Sequence, residues 1–260
     1  GSPCAMETPI KTENETAEPA ATVLPTSTPD PVPSGYQEYV AQSGDTLQAV
    51  ALHFGVKPET IQSPDAIPTE GLISPGQKLF LPDVLSETAP AEILIPDSEV
   101  LYSPSAKDFD IAKFIAQTEG EFRYYKEVVK IGNTPGIEII QRLALEYSVN
   151  PRLLLTILEF QSGWIKGEPQ TSEQSKYPMG YINKNKMGLL RQTGWAIRKL
   201  MDGYYGWRAG TLTELTFSDG STKRIAPNLN AGTVALMYLL AQGCVPGSWE
   251  NALYAENNVL

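Results

Sequence analysis

The stretch Asn150–Trp164, NPRLLLTILEFQSGW, limits what this chain can fold into more than any other. Asn150 stands where a side-chain oxygen can cap a helix. Pro151 takes the first helical position, where a missing N–H costs nothing. Leu153, Leu154, Leu155, Ile157, Leu158 and Phe160 then cover nearly every direction around the axis, and a helix that is apolar all round has to be buried. Near its end it carries Glu159 and Gln161, and Ser162-Gly163-Trp164 closes it. A carboxylate at the end of a buried helix is either a paired structural charge or a tuned acid. Arg152, Arg191 and Arg198 are the available partners for the first role.

Residues 100–260 around this helix predict a mainly α-helical domain with one β-hairpin. Helical spacing runs through Asp108–Gln117, Glu121–Lys130, Ile137–Tyr147 and Met187–Met201. Lys166–Lys184 is polar and rich in Gly and Pro, which predicts a long loop; long loops in compact domains are often functional. Glu168 and Glu173 lie in it as acids with an ordinary solvated alternative. GYYGWRAG at Gly203–Gly210 predicts an aromatic loop. Leu212–Ile225 predicts a hairpin turning at Asp219-Gly220. Asn230 is expected to cap a helix over Ala231–Gln242, and Ser248–Glu256 to form the last one. Tyr181, Tyr204 and Tyr205, with Tyr177 and Trp207, fall in the expected connections. Rings with a polar tip suit the half-apolar faces of sugars; ordinary core aromatics are the other reading of each.

The front of the chain is different. Residues 1–36 are rich in Pro, Thr, Glu and Ala, too poor in bulky apolar groups to offset their ordering entropy, and predict a disordered stalk. Cys4 raises a lipid anchor, against which Pro3 stands, and a signal peptide removed before Gly1 stays open. Residues 37–84 predict strand, turn, helix, turn, helix, loop, strand, with Leu47, Val50, Ala51 and Phe54 turned inward. Gly55 ends the first helix, Pro58 opens a second, and Pro75-Gly76 leads into the last strand. His53 is expected to face solvent. Residues 85–99 mix Pro, Ala, Glu and Asp and predict a linker. The overall class is α+β.

A net charge of -10 over 260 residues argues against nucleic acid and against a polybasic membrane patch, and no apolar run reaches the length of a membrane span. Two cysteines and one histidine offer no His/Cys metal site, so neither metal nor cofactor is expected.

Two resemblances add to this. The run YVAQSGDTLQAVALHFGVKPETI, followed by ISPGQKLFLP, resembles a LysM domain. The resemblance implies a βααβ fold that binds N-acetylglucosamine in peptidoglycan or chitin. By family position Gly44, Asp45, Thr46 and Leu47 lie on one side of the sugar, and Ala66, Ile67 and Ile73 on the other. Asp65 stands where the family usually has Asn. Three later segments, LLLTILEFQSGW, KMGLLRQ and LNAGTVAL, resemble in order the lytic transglycosylase (lysozyme-like) family. That implies a glycan cleft in which a helix-ending glutamate protonates the glycosidic oxygen and no second carboxylate is needed.

Aligned on Ser162-Gly163, the glutamate position holds Gln161, and an amide cannot donate that proton. Glu159 is the nearest acid, but two residues along a helix turn a side chain by roughly 200°. The tyrosine of the last motif is replaced by Leu229. The expected function is therefore an exported or cell-wall-associated, peptidoglycan-binding protein with a degenerate lysozyme-like domain that holds glycan or positions a neighbouring hydrolase. The alternative is an active transglycosylase with Glu159 as acid and base, favoured by burial among Leu155, Leu158 and Phe160. Relatives of this layout imply a continuation into a lysostaphin-like zinc metallopeptidase.

Overall fold

The computed structural model describes residues 31–130 and 132–255. Most of the expected stalk, with Cys4, lies outside the described residues. What is described is α+β: small antiparallel strand pairs and helices gathered around two separate apolar cores.

The small core belongs to the front module. Strand β1 (Tyr36–Val40) pairs antiparallel with β2 (Lys78–Pro82), in a register that sets Tyr39 opposite Leu79. Between them α1 (Leu47–Phe54) is capped by Thr46, whose hydroxyl accepts from Ala49 N, and ends on Gly55 at φ 67°. Val50, Leu79 and Leu81 are fully buried against Phe54 and Ile73. Each such side chain contributes about 1.5–3 kcal/mol on leaving water. The expected second helix is only one 3₁₀ turn, Pro58–Thr60. Ile61 N bonds Pro58 O, and Gln62 then pairs with Phe80, so the chain turns extended before an α-turn can close.

The large core is helical. Its elements are α2 (Pro104–Lys107), α3 (Ile111–Ala116), α4 (Gly136–Glu146), α5 (Pro151–Ser162), α6 (Ser172–Lys176), α7 (Leu189–Arg208), α8 (Ala231–Ala241) and α9 (Pro246–Tyr254). The central helix forms as its residues dictate: Asn150 Oδ1 accepts from Arg152 N at 3.0 Å, and Gly163 ends it at φ 67°. Leu154, Ile157 and Leu158 are buried to 1% exposure or less.

Three expectations are corrected. Glu121–Lys130 is not a helix: after a 3₁₀ turn, Lys126–Val129 (β3) pairs with Gly132–Pro135 (β4). Consecutive β-branched Val128 and Val129 favour the extended chain. A second hairpin thus joins the expected one, β5 (Glu214–Thr216) with β6 (Thr222–Arg224) turning at Gly220. Gly203–Gly210 is not an aromatic loop, since α7 runs through Arg208. Gly203 is there for packing: a Cβ on it would come within 2.9 Å of Ala235 Cα on α8. Asn230 does not cap α8 with its own side chain. Asp97, from the expected linker, accepts from Gly232 N at 2.7 Å instead, and Asn230 Nδ2 donates to Asp97 Oδ1 and to Ile95 O.

The 85–99 segment is accordingly a strap laid on the helical part. Ala89 is buried and its N–H bonds Arg224 O, while Leu94 N bonds Thr233 Oγ1.

Candidate functional site

The turn between β1 and α1 is tied down residue by residue. Asp45 Oδ2 accepts from Tyr39 OH at 2.6 Å and from Gln42 N at 2.7 Å. Burial, the largest influence, pushes the Asp45 carboxyl up, and the hydrogen bonds from Tyr39 and Gln42 oppose it. The backbone carbonyl of Asp45 accepts from Ile73 N at 2.8 Å. This bond brings the two halves of the expected sugar site together, Gly44–Leu47 and the loop before β2. Leu47 and Ile67 both pack on the edge of the small core, whereas Ala66 is exposed. Gln77 Nε2 holds that loop by donating to Ala66 O at 3.2 Å and to Ser63 Oγ at 3.2 Å. Asp65 is exposed and its N–H bonds Ser63 Oγ.

The far side of the turn faces the helical part. His53 does not face solvent: it is 3% exposed. Its ring stacks on Trp207 at 3.6 Å between centroids and 5° between planes. His53 Nε2 lies 2.8 Å from Trp207 O, so this nitrogen carries the hydrogen. Burial lowers the His53 pKa to about 4. Gln42 Nε2 donates to Asn228 O, and Arg224 Nη2 to the carbonyls of Leu52 and His53. Arg208 reaches over Gly44. Its Nη1 lies 3.6 Å from Asp97 Oδ2 and donates to Tyr204 OH at 3.3 Å. Tyr204 is therefore a buried seam residue, 3% exposed, and not a ring lining a sugar cleft. The seam contacts of Gln42, His53 and Arg224 had no local signal in the sequence, because their partners lie more than 150 positions away.

At the tip of α5 the two candidate residues diverge as helix geometry requires. Glu159 borders an open cavity of about 420 Å³ with Phe109, Phe114, Arg152, Phe160 and Lys166. One carboxylate oxygen accepts from Ile165 N at 2.8 Å and Lys166 N at 3.0 Å, which staples the turn beyond the helix. No ion pair joins it to an arginine among the described residues. Gln161 is 8% exposed and faces the other way, towards Met179, Gly180, Trp195 and Leu240. Its Oε1 has no hydrogen-bond partner there.

Tyr181 stacks on Trp195 at 4.5 Å, and Gln192 holds the backbone of Tyr181 by donating to its carbonyl and accepting from its N–H. Tyr205 is 58% exposed on α7, in edge contact with Tyr204. The three tyrosines therefore line no common groove: Tyr181 sits with Trp195, Tyr204 in the seam, and Tyr205 in solvent. Within the expected loop, Ser172–Lys176 forms α6 behind a Thr171/Gln174 capping box, and Glu168 and Glu173 are exposed. Among the described residues no group of three or more His, Cys, Asp or Glu side chains stands ready for a metal, and no helix is long and apolar enough to cross a membrane.

Comparison with known proteins separates the two parts. Residues 39–82 match the LysM domain. Residues 93–258 match the family described as LasA, N-terminal domain, a description that names neither lysozyme nor transglycosylase. Nuclear receptor coactivator 7 of Mus musculus is 35% identical over 81 residues, and that of Homo sapiens 32% over 81 residues. In both cases the aligned stretch is 31% of this chain and 8% of the relative, so the chain spans less than a tenth of the curated relatives it matches. No solved structure matches the chain. Since the match over residues 93–258 takes in well over half of its length, the chain belongs to the LasA N-terminal domain family and carries a LysM domain ahead of that region.

Proposed function

We propose that this is an exported, cell-wall-associated protein that binds peptidoglycan, with an N-acetylglucosamine unit held between Gly44–Leu47 and Ala66, Ile67 and Ile73. In this reading residues 100–260 form a degenerate lysozyme-like domain that holds the strand or positions a neighbouring hydrolase. The observation that carries it is the Asp45 O to Ile73 N bond, which fixes the two loops of the LysM match side by side. Backbone groups of a tight turn hydrogen-bond an acetamido group, and the apolar bodies of Leu47 and Ile67 cover its methyl. Gln161 supports the non-catalytic half: an amide cannot donate the acid proton, and this one is 8% exposed.

The test is co-sedimentation of the full chain with purified peptidoglycan and with chitin, competed by N-acetylglucosamine oligomers. Pelleting that the oligomers reverse is the expected result. A chain that stays in the supernatant with both polymers removes the reading. A second reading, glycosidic cleavage with Glu159 as acid and base, is favoured by one feature, the open cavity this residue borders. It predicts anhydromuramyl products by mass spectrometry that Glu159→Gln abolishes.

A further inference from the structure

We infer that Arg208, carried at the end of α7, is a positioning residue for the glycan-binding turn of the LysM module; this rests on the glycan reading above. Gly44 has φ 92°, and the space its absent side chain leaves is filled by the Arg208 guanidinium, with which a Cβ would collide at Nη2 and Cζ. The guanidinium is itself fixed from behind. Asp97 Oδ2 lies 3.6 Å from Nη1, and Tyr204 OH accepts from Nη1 at 3.3 Å. Asp97 is anchored in turn by Asn230 Nδ2 at 2.8 Å and Gly232 N at 2.7 Å.

From the opposite side the turn is held through Asp45, by Tyr39 OH, Gln42 N and Ile73 N. Glycine is the residue with most backbone freedom to lose. A free Gly44 would have to be ordered each time a sugar bound, at a cost taken from the affinity. Arg208 removes that freedom beforehand without itself meeting the sugar. The consequence is that the LysM module depends on a residue of the LasA N-terminal region for part of its grip.

The experiment titrates the full chain with tetra-N-acetylchitotetraose by calorimetry, in wild type, Arg208→Ala, Arg208→Gln and Arg224→Ala. Arg224 holds the same seam at its other end, through Leu52 O and His53 O, and reports loosening of the seam alone. Arg208→Ala is expected to weaken binding about five- to tenfold through lost preorganisation, with Arg208→Gln between it and wild type and Arg224→Ala within about twofold. In the sugar-free protein the Gly44 and Asp45 amide resonances should broaden in Arg208→Ala and stay sharp in Arg224→Ala. Binding by Arg208→Ala within about twofold of wild type, or an equal loss in Arg224→Ala, overturns the inference while leaving the glycan reading intact. A wild-type chain that takes no tetrasaccharide overturns both.

Discussion

The LysM module and the helical part close their cores in opposite ways. The module buries a handful of side chains between one helix and one strand pair, and secures the rest with turn hydrogen bonds: Asp45 to Tyr39 and Gln42, Gln77 to Ala66. The helical part buries a continuous apolar mass in which α5 is surrounded and α7 lies close against α8 through Gly203. Between them runs a seam of polar contacts together with the His53–Trp207 stack and the packing of Ala49 and Leu52 against Gly210. A module that rests on local turns is specified by its own short sequence. A mass of helices is specified only when distant faces meet.

The largest expected effect tests whether the two cores are separate. Leu154 is fully buried on α5, and Leu154→Ala should cost about 2–5 kcal/mol of stability in urea unfolding. If the cores are independent, the transition followed through the LysM residues stays in place; a shift of equal size in both would merge them into one cooperative unit.

The seam gives the next effect, through pH. The His53 pKa, lowered to about 4 by burial, lies below the ordinary value of 6.5, so the unfolded chain binds the proton more readily. The stabilisation is whole above about pH 6.5 and drains away as pH falls towards 4, by about 3 kcal/mol in all. The raised carboxyl of Asp45 works the other way, favouring the folded form as pH falls through its own range. The difference between wild type and His53→Phe in thermal midpoints isolates the His53 slope. A difference that is flat between pH 7 and pH 4 refutes this account of the seam.

A smaller loss is expected at the strap. Asp97→Ala removes a charged partner from Gly232 N and Asn230 Nδ2 and should cost about 1.5–3 kcal/mol by calorimetry. Smallest is Asn150→Ala, which removes the α5 cap at about 1 kcal/mol. If Asn150→Ala costs more than Asp97→Ala, the capping roles assigned to the strap and to α5 are reversed.

How far each region was readable from residues alone follows the same divide. The two strands of the module were visible although their partners lie about 40 positions apart, and Gly55 as stop was visible because the signal and its structural effect lie within a few positions. The Asn150 cap, the Gly163 stop and the Gly220 turn were visible for the same reason. What failed was non-local. Gly203–Gly210 read as an aromatic loop, but Gly203 is demanded by the approach of Ala235. His53 looked solvent-facing because Trp207 is far away in sequence. Of the candidate site, the LysM resemblance implied that Gly44–Leu47 and Ile73 lie across from each other, whereas nothing in the sequence pointed to Arg208 over Gly44. The opposed faces of Glu159 and Gln161 followed from helix geometry, yet the neighbours of Gln161, Leu240 among them, needed α8 in place.

The strap has a consequence for how this architecture can be rearranged. A recombination point set where the composition changes, just ahead of Val100, would separate α8 from the carboxylate that completes its first turn, and would discard the N–H groups at Ala89 and Leu94 that bond the hairpin and α8. A transplantable version of the rear region has to carry the chain from Ala89 onward. The front module can be exchanged only for one that tolerates a guanidinium pressed against its first glycine.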